Sequence, residues 1–221
     1  MSTKETIGPR RAAWEKATAW PMLIIALVFL IAYSIHVLAP DEADPWRPLL
    51  VGVLVLCWAA FAIDYVVRLA LSPHGRWAFI RHNLADLAAV FLPVFRVFRL
   101  MHGMRDIPYF RRRSGDAVRT RLVAYAATFA ILYVYMIALA ELSVERDAPG
   151  ATITSFGDAV WWACVTMATV GYGDTYPVTV VGRFFAVLLM IGGIAIVGVA
   201  SATVISYVNE NVRSRHHDEE D

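Results

Sequence analysis

Long apolar stretches, repeated along the chain, constrain its fold more than any other feature. About 20 helical residues cross a hydrocarbon core of about 30 Å, and the sequence supplies six stretches to be measured against that length. The pattern predicts helices over about 20–38 and 48–71, a shorter one over 79–92, and an arginine-bearing one after Pro93. That fourth segment stops near Pro108, because proline interrupts the helical ladder. Further helices are predicted over about 121–142 and from 178 to about 209, with a half-length helix over 154–167 for which Thr154 and Ser155 serve as N-caps. Of the 221 residues 58% are hydrophobic and 18% charged, too apolar for a soluble domain of this size. The chain reads as an all-α membrane protein.

The positions of Lys and Arg set the expected orientation. Arg10, Arg11 and Lys16 precede the first span, Arg68, Arg76 and Arg81 join the second to the third, Arg111 to Arg113, Arg119 and Arg121 join the fourth to the fifth, and Arg213 and Arg215 follow the sixth. All fall on one side, which is therefore cytoplasmic, with both termini on it. Asp41, Glu42, Asp44, Glu141, Glu145 and Asp147, with Arg47 and Arg146, are counted as the opposite, outward loops. The polar N-terminus has no cleavable signal pattern. A net charge of +1 with basic residues spread beside apolar blocks gives no surface for nucleic acid. Cys57 and Cys164 read as packed small residues. Arg111 to Arg113 suit anionic lipid headgroups, or simply anchor the inner face.

The segment Thr166-Met167-Ala168-Thr169-Val170-Gly171-Tyr172-Gly173-Asp174 follows the half-length helix Ser155-Phe156-Gly157-Asp158-Ala159-Val160-Trp161-Trp162 and precedes Tyr176-Pro177-Val178-Thr179 and Gly182-Arg183. This run resembles the pore of the potassium channel superfamily, with a voltage-gated-like pore helix and a following turn similar to bacterial two-helix potassium channels. The resemblance implies a selectivity filter in which the carbonyls of Thr169, Val170, Gly171 and Tyr172, with the Thr169 hydroxyl, replace the hydration shell of potassium, the permeant ion, with no cofactor implied. Gly171 and Gly173 suit the backbone angles needed to point successive carbonyls at one axis. It implies an aromatic cuff, with Trp161 bonded to Asp174 and Trp162 to Tyr172. Val165 stands where one bacterial subfamily has a glutamate behind the filter. Gly193 aligns with a gate hinge, while Gly192, Gly193 and Gly198 equally suit close helix packing. Ala200-Ser201-Ala202 replaces a proline kink, which favours a straighter crossing over residues 203–207.

The first four helices resemble a voltage sensor. Phe61, Asp64 and Arg68 match the aromatic, acid and base of a charge-transfer centre, Asn83 and Asp86 match the third helix, and Arg96, Arg99, His102 and Arg105 recur at every third position. Ionisable residues inside spans are costly and are usually paired or functional. Histidine at 102 is mostly neutral near pH 7 at its ordinary pKa, and only Phe91 to Phe95 joins the third helix to Arg96. Two arginines per subunit crossing the field in four subunits would release roughly 18 kcal/mol per 100 mV, at about 2.3 kcal/mol each. If the hairpin does not move, the same arginines anchor the helix to Asp64, Asp86 and lipid phosphates.

The expected organisation is a cytoplasmic N-terminus (1–18), a sensor-like four-helix domain (19–113), a linker (114–120), a pore domain (121–209) and a cytoplasmic tail (210–221). One filter strand per chain implies a homotetramer in the cell membrane, with lipids as its other partner. The tail is too short for a nucleotide-binding regulatory domain. The reading is a passive potassium channel of prokaryotic type, voltage-responsive or else voltage-insensitive and gated by lipid or pH; a non-conducting regulatory subunit is the remaining alternative. A transporter would need four filter loops, and no constellation for an enzyme is seen.

Overall fold

The structure is a computed structural model that describes residues 9–39, 44–72 and 115–218. Every regular element among them is helical: α1 (Pro9–Leu38), a 3-10 turn (Asp44–Trp46), α2 (Arg47–Ala70), α3 (Gly115–Glu145), α4 (Phe156–Met167) and α5 (Val180–Asp218). Four of these are long and apolar enough to cross a membrane, through Pro9–Leu38, Arg47–Ala70, Ala126–Glu145 and Val180–Ile205. The expected third and fourth helices, with Asn83, Asp86, Arg96, Arg99, His102 and Arg105, lie outside the described residues.

Helix ends depart from the apolar segments in a consistent way. α1 begins at Pro9 and runs through Pro21, α3 begins at Gly115, and α5 continues to Asp218, each beyond its apolar stretch. Hydropathy marks where a helix meets lipid, and helix-forming polar flanks such as Arg10-Arg11-Ala12-Ala13 continue the same ladder outside it. Proline at the first position of α1 costs nothing there, since that N–H has no partner inside the helix. Arg11 and Glu15, one turn apart, form an ion pair at 2.7 Å on this polar extension.

The chain divides into two compact units, Met1–Asp106 and Ile107–Asp221. In the first, α1 and α2 pack on each other, burying Ala26, Phe29 and Ala32 from α1 and Cys57, Phe61 and Tyr65 from α2. In the second, α3 packs on both α4 and α5, and α4 packs on α5. Met136, Ile137, Leu139, Leu142, Ile153 and Leu189 are fully enclosed there. The C-terminal half of α3 is buried almost all round, as an element inserted between two others must be. On α4 the buried set is Ala159, Trp162, Ala163 and Val165, which leaves Trp161 and Cys164 on the exposed side. Cys57 is packed as expected, but Cys164 is an exposed free thiol, because the pore-helix face that carries it turns away from α3 and α5.

Glu141 and Glu145 require a correction. Counted as outward loop residues in the sequence, they are the last turns of α3 and both have 0% relative exposure. The helix continues past Leu142 because nothing in Glu141-Leu142-Ser143-Val144-Glu145 breaks it.

Candidate functional site

The half-length helix is fixed at its start by a complete capping box. The Ser155 hydroxyl accepts the Asp158 N–H at 3.2 Å, and the Asp158 carboxylate accepts the Ser155 N–H at 2.9 Å. The Ser155 hydroxyl and the Thr154 N–H and hydroxyl also donate to that carboxylate. Hydrogen bonding from Ser155 holds the Asp158 carboxyl below its ordinary range. Helix α4 thus begins one residue later than a Thr154 cap would place it, and the single Ser155 cap sets its direction.

At its other end α4 holds the filter segment by its amides. Ala168 N–H donates to the Cys164 carbonyl (2.9 Å), Thr169 to Thr166 (3.0 Å), and both Val170 (2.9 Å) and Gly171 (3.3 Å) to Val165. Val165 therefore supports the filter through its backbone, at the position where a side-chain acid is lacking. Beyond this point the chain alternates in handedness, with positive φ at Thr169 (59°), Gly171 (55°) and Gly173 (78°) and not at the residues between. The N–H groups of Thr169, Val170 and Gly171 all face carbonyls of α4. A Cβ at Gly171 or Gly173 would meet no atom within 4 Å in the chain, so glycine is required there by conformation and not by space. Thr169 adopts the same region with a Cβ, at a cost of about 1–2 kcal/mol.

Aromatic groups brace this strand. Trp161 donates its indole N–H to Asp174 at 2.8 Å, and its ring stacks on Tyr172 at a centroid distance of 5.7 Å and an interplanar angle of 1°. Asp174 also accepts the Thr175 N–H at 3.0 Å. Trp162 is buried, at 3% exposure, and makes no hydrogen bond to Tyr172 within the chain. After the filter, the Thr152 hydroxyl donates to the Tyr176 carbonyl and accepts the Tyr176 N–H, both at 2.8 Å, closing the outer loop.

Glu145 ties the end of α3 to the start of α5. It accepts the N–H groups of Val178 (2.9 Å) and Thr179 (2.8 Å) and the Thr179 hydroxyl (2.7 Å). The same hydroxyl accepts the Gly182 N–H at 2.8 Å, capping α5. Three glycines let α5 approach its neighbours: Gly182 lies against Glu141 and Glu145, Gly192 against the Tyr133 ring, and Gly193 against Met167, whose Cγ would be 3.1 Å from a Cβ at that position. The Tyr133 hydroxyl donates to the Leu188 carbonyl beside this contact. Gly193, aligned with a hinge in the sequence, occupies a close helix contact in an uninterrupted helix.

In the first unit Phe61, Asp64 and Arg68 share one buried face of α2, at 2%, 2% and 8% exposure. Asp64 pairs with Arg68 at 2.9 Å and accepts the Trp14 indole N–H at 3.1 Å. Trp14 was not singled out in the sequence, since it precedes the apolar stretch. Nor were Glu141 and Glu145 read as a pair, and Gly182 was read only as part of the motif after the filter; a four-residue acid repeat inside an otherwise buried helix end is the signal that would have found the pair.

The ion channel family model matches residues 121–210. A mouse potassium voltage-gated channel subfamily V member 2 is 33% identical over 206 residues, covering 70% of this chain and 35% of that protein. A cyclic nucleotide-gated potassium channel of Mesorhizobium japonicum is 27% identical, covering 79% and 53%, and a human delayed-rectifier potassium channel regulatory subunit is 27% identical, covering 86% and 45%. The chain spans between about a third and about half of the length of these curated relatives. A matched pore segment and relatives that cover most of the chain converge: the chain is a member of the potassium channel family, with its ion channel domain at residues 121–210.

Proposed function

We propose that four copies of this chain form a potassium-selective pore that conducts passively through the cell membrane, with six spans per chain and both termini cytoplasmic. The observation that carries the reading is the alternation of backbone handedness at Thr169, Gly171 and Gly173 in a strand whose amides are bound to α4. A strand of this form supplies a row of carbonyls, and four around an axis supply the cage that replaces potassium's water shell. In this reading the carbonyls of Thr169, Val170, Gly171 and Tyr172 hold the ion, Gly173 sets the turn, Trp161, Trp162 and Asp174 support it, and Trp162 reaches a neighbouring chain's filter. The C-terminal end of each α4 faces the cavity, where its dipole favours a cation. The uncovered apolar side chains of α5, including Val180 at 84% and Ile194 at 71% exposure, supply surface for other copies and for lipid.

The domain division proposed is a sensor-like half at 19–113, a linker at 114–120 and a pore half at 121–209. Voltage sensing by Arg96, Arg99 and Arg105 against Phe61, Asp64 and Asp86, and bending of the gate at Gly193, belong to the same proposal. The Asp64–Arg68 pair on one helix favours a second reading, in which the acid is already neutralised and the channel conducts without responding to voltage.

The test is planar-bilayer recording of the purified full chain in asymmetric potassium and sodium across a wide voltage range. Reversal at the potassium equilibrium value is expected, with G173A abolishing selective current, since its φ of 78° strains any residue with a Cβ. Voltage-independent current would select the second reading. No potassium current under any voltage would overturn the pore and leave the regulatory-subunit alternative.

A further inference from the structure

Helix α3 ends with two fully buried carboxylates one turn apart, and their surroundings differ sharply. Glu145 accepts three hydrogen bonds, from the Val178 and Thr179 amides and the Thr179 hydroxyl. Glu141 accepts none: neither of its oxygens has a hydrogen-bond partner, and no ion pair among the described residues includes it. Both nevertheless converge on one point. A Cβ on Gly182 would overlap Oε1 of Glu141 and Oε1 of Glu145, so the two carboxyl groups lie side by side against the α5 backbone.

The charged groups on the surrounding elements do not resolve this. Arg146 and Asp147 follow α3, Asp158 at the start of α4 is engaged by Ser155 and Thr154, and the Arg183 guanidinium on α5 reaches the Pro177 carbonyl at 3.5 Å. Among the described residues, neither glutamate takes part in an ion pair. Two enclosed carboxylates side by side, with no ion pair among the described residues, strongly disfavour being ionised together. The one that accepts three donors is occupied as an acceptor, and the one with no donor is placed to carry a proton.

We propose that Glu141 and Glu145 form a proton-binding site at the junction of α3 and α5, with the proton carried by Glu141 beside the Glu145 clamp. Binding is a simple addition of one proton from solvent to one Glu141 oxygen. While it is bound, Glu145 can hold Val178 and Thr179, the residues through which the strand after the filter enters α5. Loss of the proton places a negative charge beside Glu145 and works against that clamp. Alkaline solution should therefore loosen the α3–α5 junction, and the site does not depend on the pore reading.

The experiment is infrared spectroscopy of the purified full chain across pH, following the carboxylic-acid C=O stretch, together with thermal unfolding over the same range. Expected is an acid band that is present at neutral pH, slow to exchange in deuterium oxide as a 0% exposed group should be, and lost on alkalinisation, with thermal stability falling as pH rises from the ordinary carboxylate range up to the pH at which the band disappears. E141Q and E141M should lack both the band and the alkaline loss. A wild-type chain without an acid band at neutral pH overturns the proposal, as does a band and alkaline loss that persist in either variant. If neither variant folds, the wild-type band alone decides, present and exchange-protected or absent. A parallel potassium flux assay separates this result from the pore assignment, since the band is read whether or not the chain conducts.

Discussion

Asp64 in the first unit and Glu145 in the second are both buried carboxylates on apolar helices, at 2% and 0% exposure, and they are held by different kinds of partner. Asp64 has a cation on its own helix, Arg68 one turn later at 2.9 Å, with the Trp14 indole as a further donor. Among the described residues Glu145 has no ion pair; its partners are two backbone amides and a hydroxyl more than 30 residues away in the chain, and its nearest ionisable neighbour on the same helix is another acid. The first arrangement holds a helix pair together by local charge compensation. The second fastens one helix to the start of another, and a carboxylate is suited to this because it can accept several donors at once.

The comparison can be broken most severely at Glu145. E145A strands three part-buried donors, each at a cost of up to about 1–3 kcal/mol, so the second unit should lose its cooperative thermal unfolding in detergent or lipid. An E145A chain that unfolds like the parent would mean the clamp carries no stability. R68M comes next: it leaves Asp64 with the Trp14 contact but without its cation, a change that costs about 3–5 kcal/mol for a buried pair. Adding D64N should recover much of that loss, and a double-mutant cycle with no coupling would remove Arg68 as the compensating charge. G182A should cost about 1–3 kcal/mol through overpacking, because its Cβ meets both glutamates; a neutral effect on melting temperature would show that the carboxylates move aside freely.

The smallest effect is expected at the cap of α4. S155A removes the acceptor of the Asp158 N–H and should cost about 1 kcal/mol. The Asp158 carboxyl titrates below its ordinary value in the folded chain, so its contribution is complete above the unfolded pKa and is lost as pH falls through the lower folded one. Wild-type melting temperature should therefore drop in strong acid more than that of S155A. Equal acid profiles would detach Asp158 from the cap.

Much of the site is legible in the chain. Ser155 before Asp158, glycines at 171 and 173, and paired tryptophans ahead of the filter are local patterns whose consequences stay within a few residues, and the capping box, the positive φ values and the Trp161–Asp174 bond sit where those patterns put them. Phe61, Asp64 and Arg68 likewise share a face because helical spacing requires it. Helix ends were less legible, since Pro9, Gly115 and Asp218 lie in polar flanks that apolar counting passes over. Glu141 and Glu145 were misread as loop residues because acids near the end of an apolar stretch ordinarily mark its exit into water.

The sequence by itself determined four of the apolar helices, the need for glycine at 171 and 173, and membership of the potassium channel family, because each rests on hydropathy, backbone conformation or a contiguous motif. Only the tertiary structure decided that Trp14 reaches Asp64, that Gly193 lies against Met167, and that Gly182 brings two acids together at the head of α5. Those contacts join residues tens of positions apart. Whether a buried carboxylate meets a cation, an amide or another acid depends on which helices pack against it, and no spacing rule within one helix contains that information.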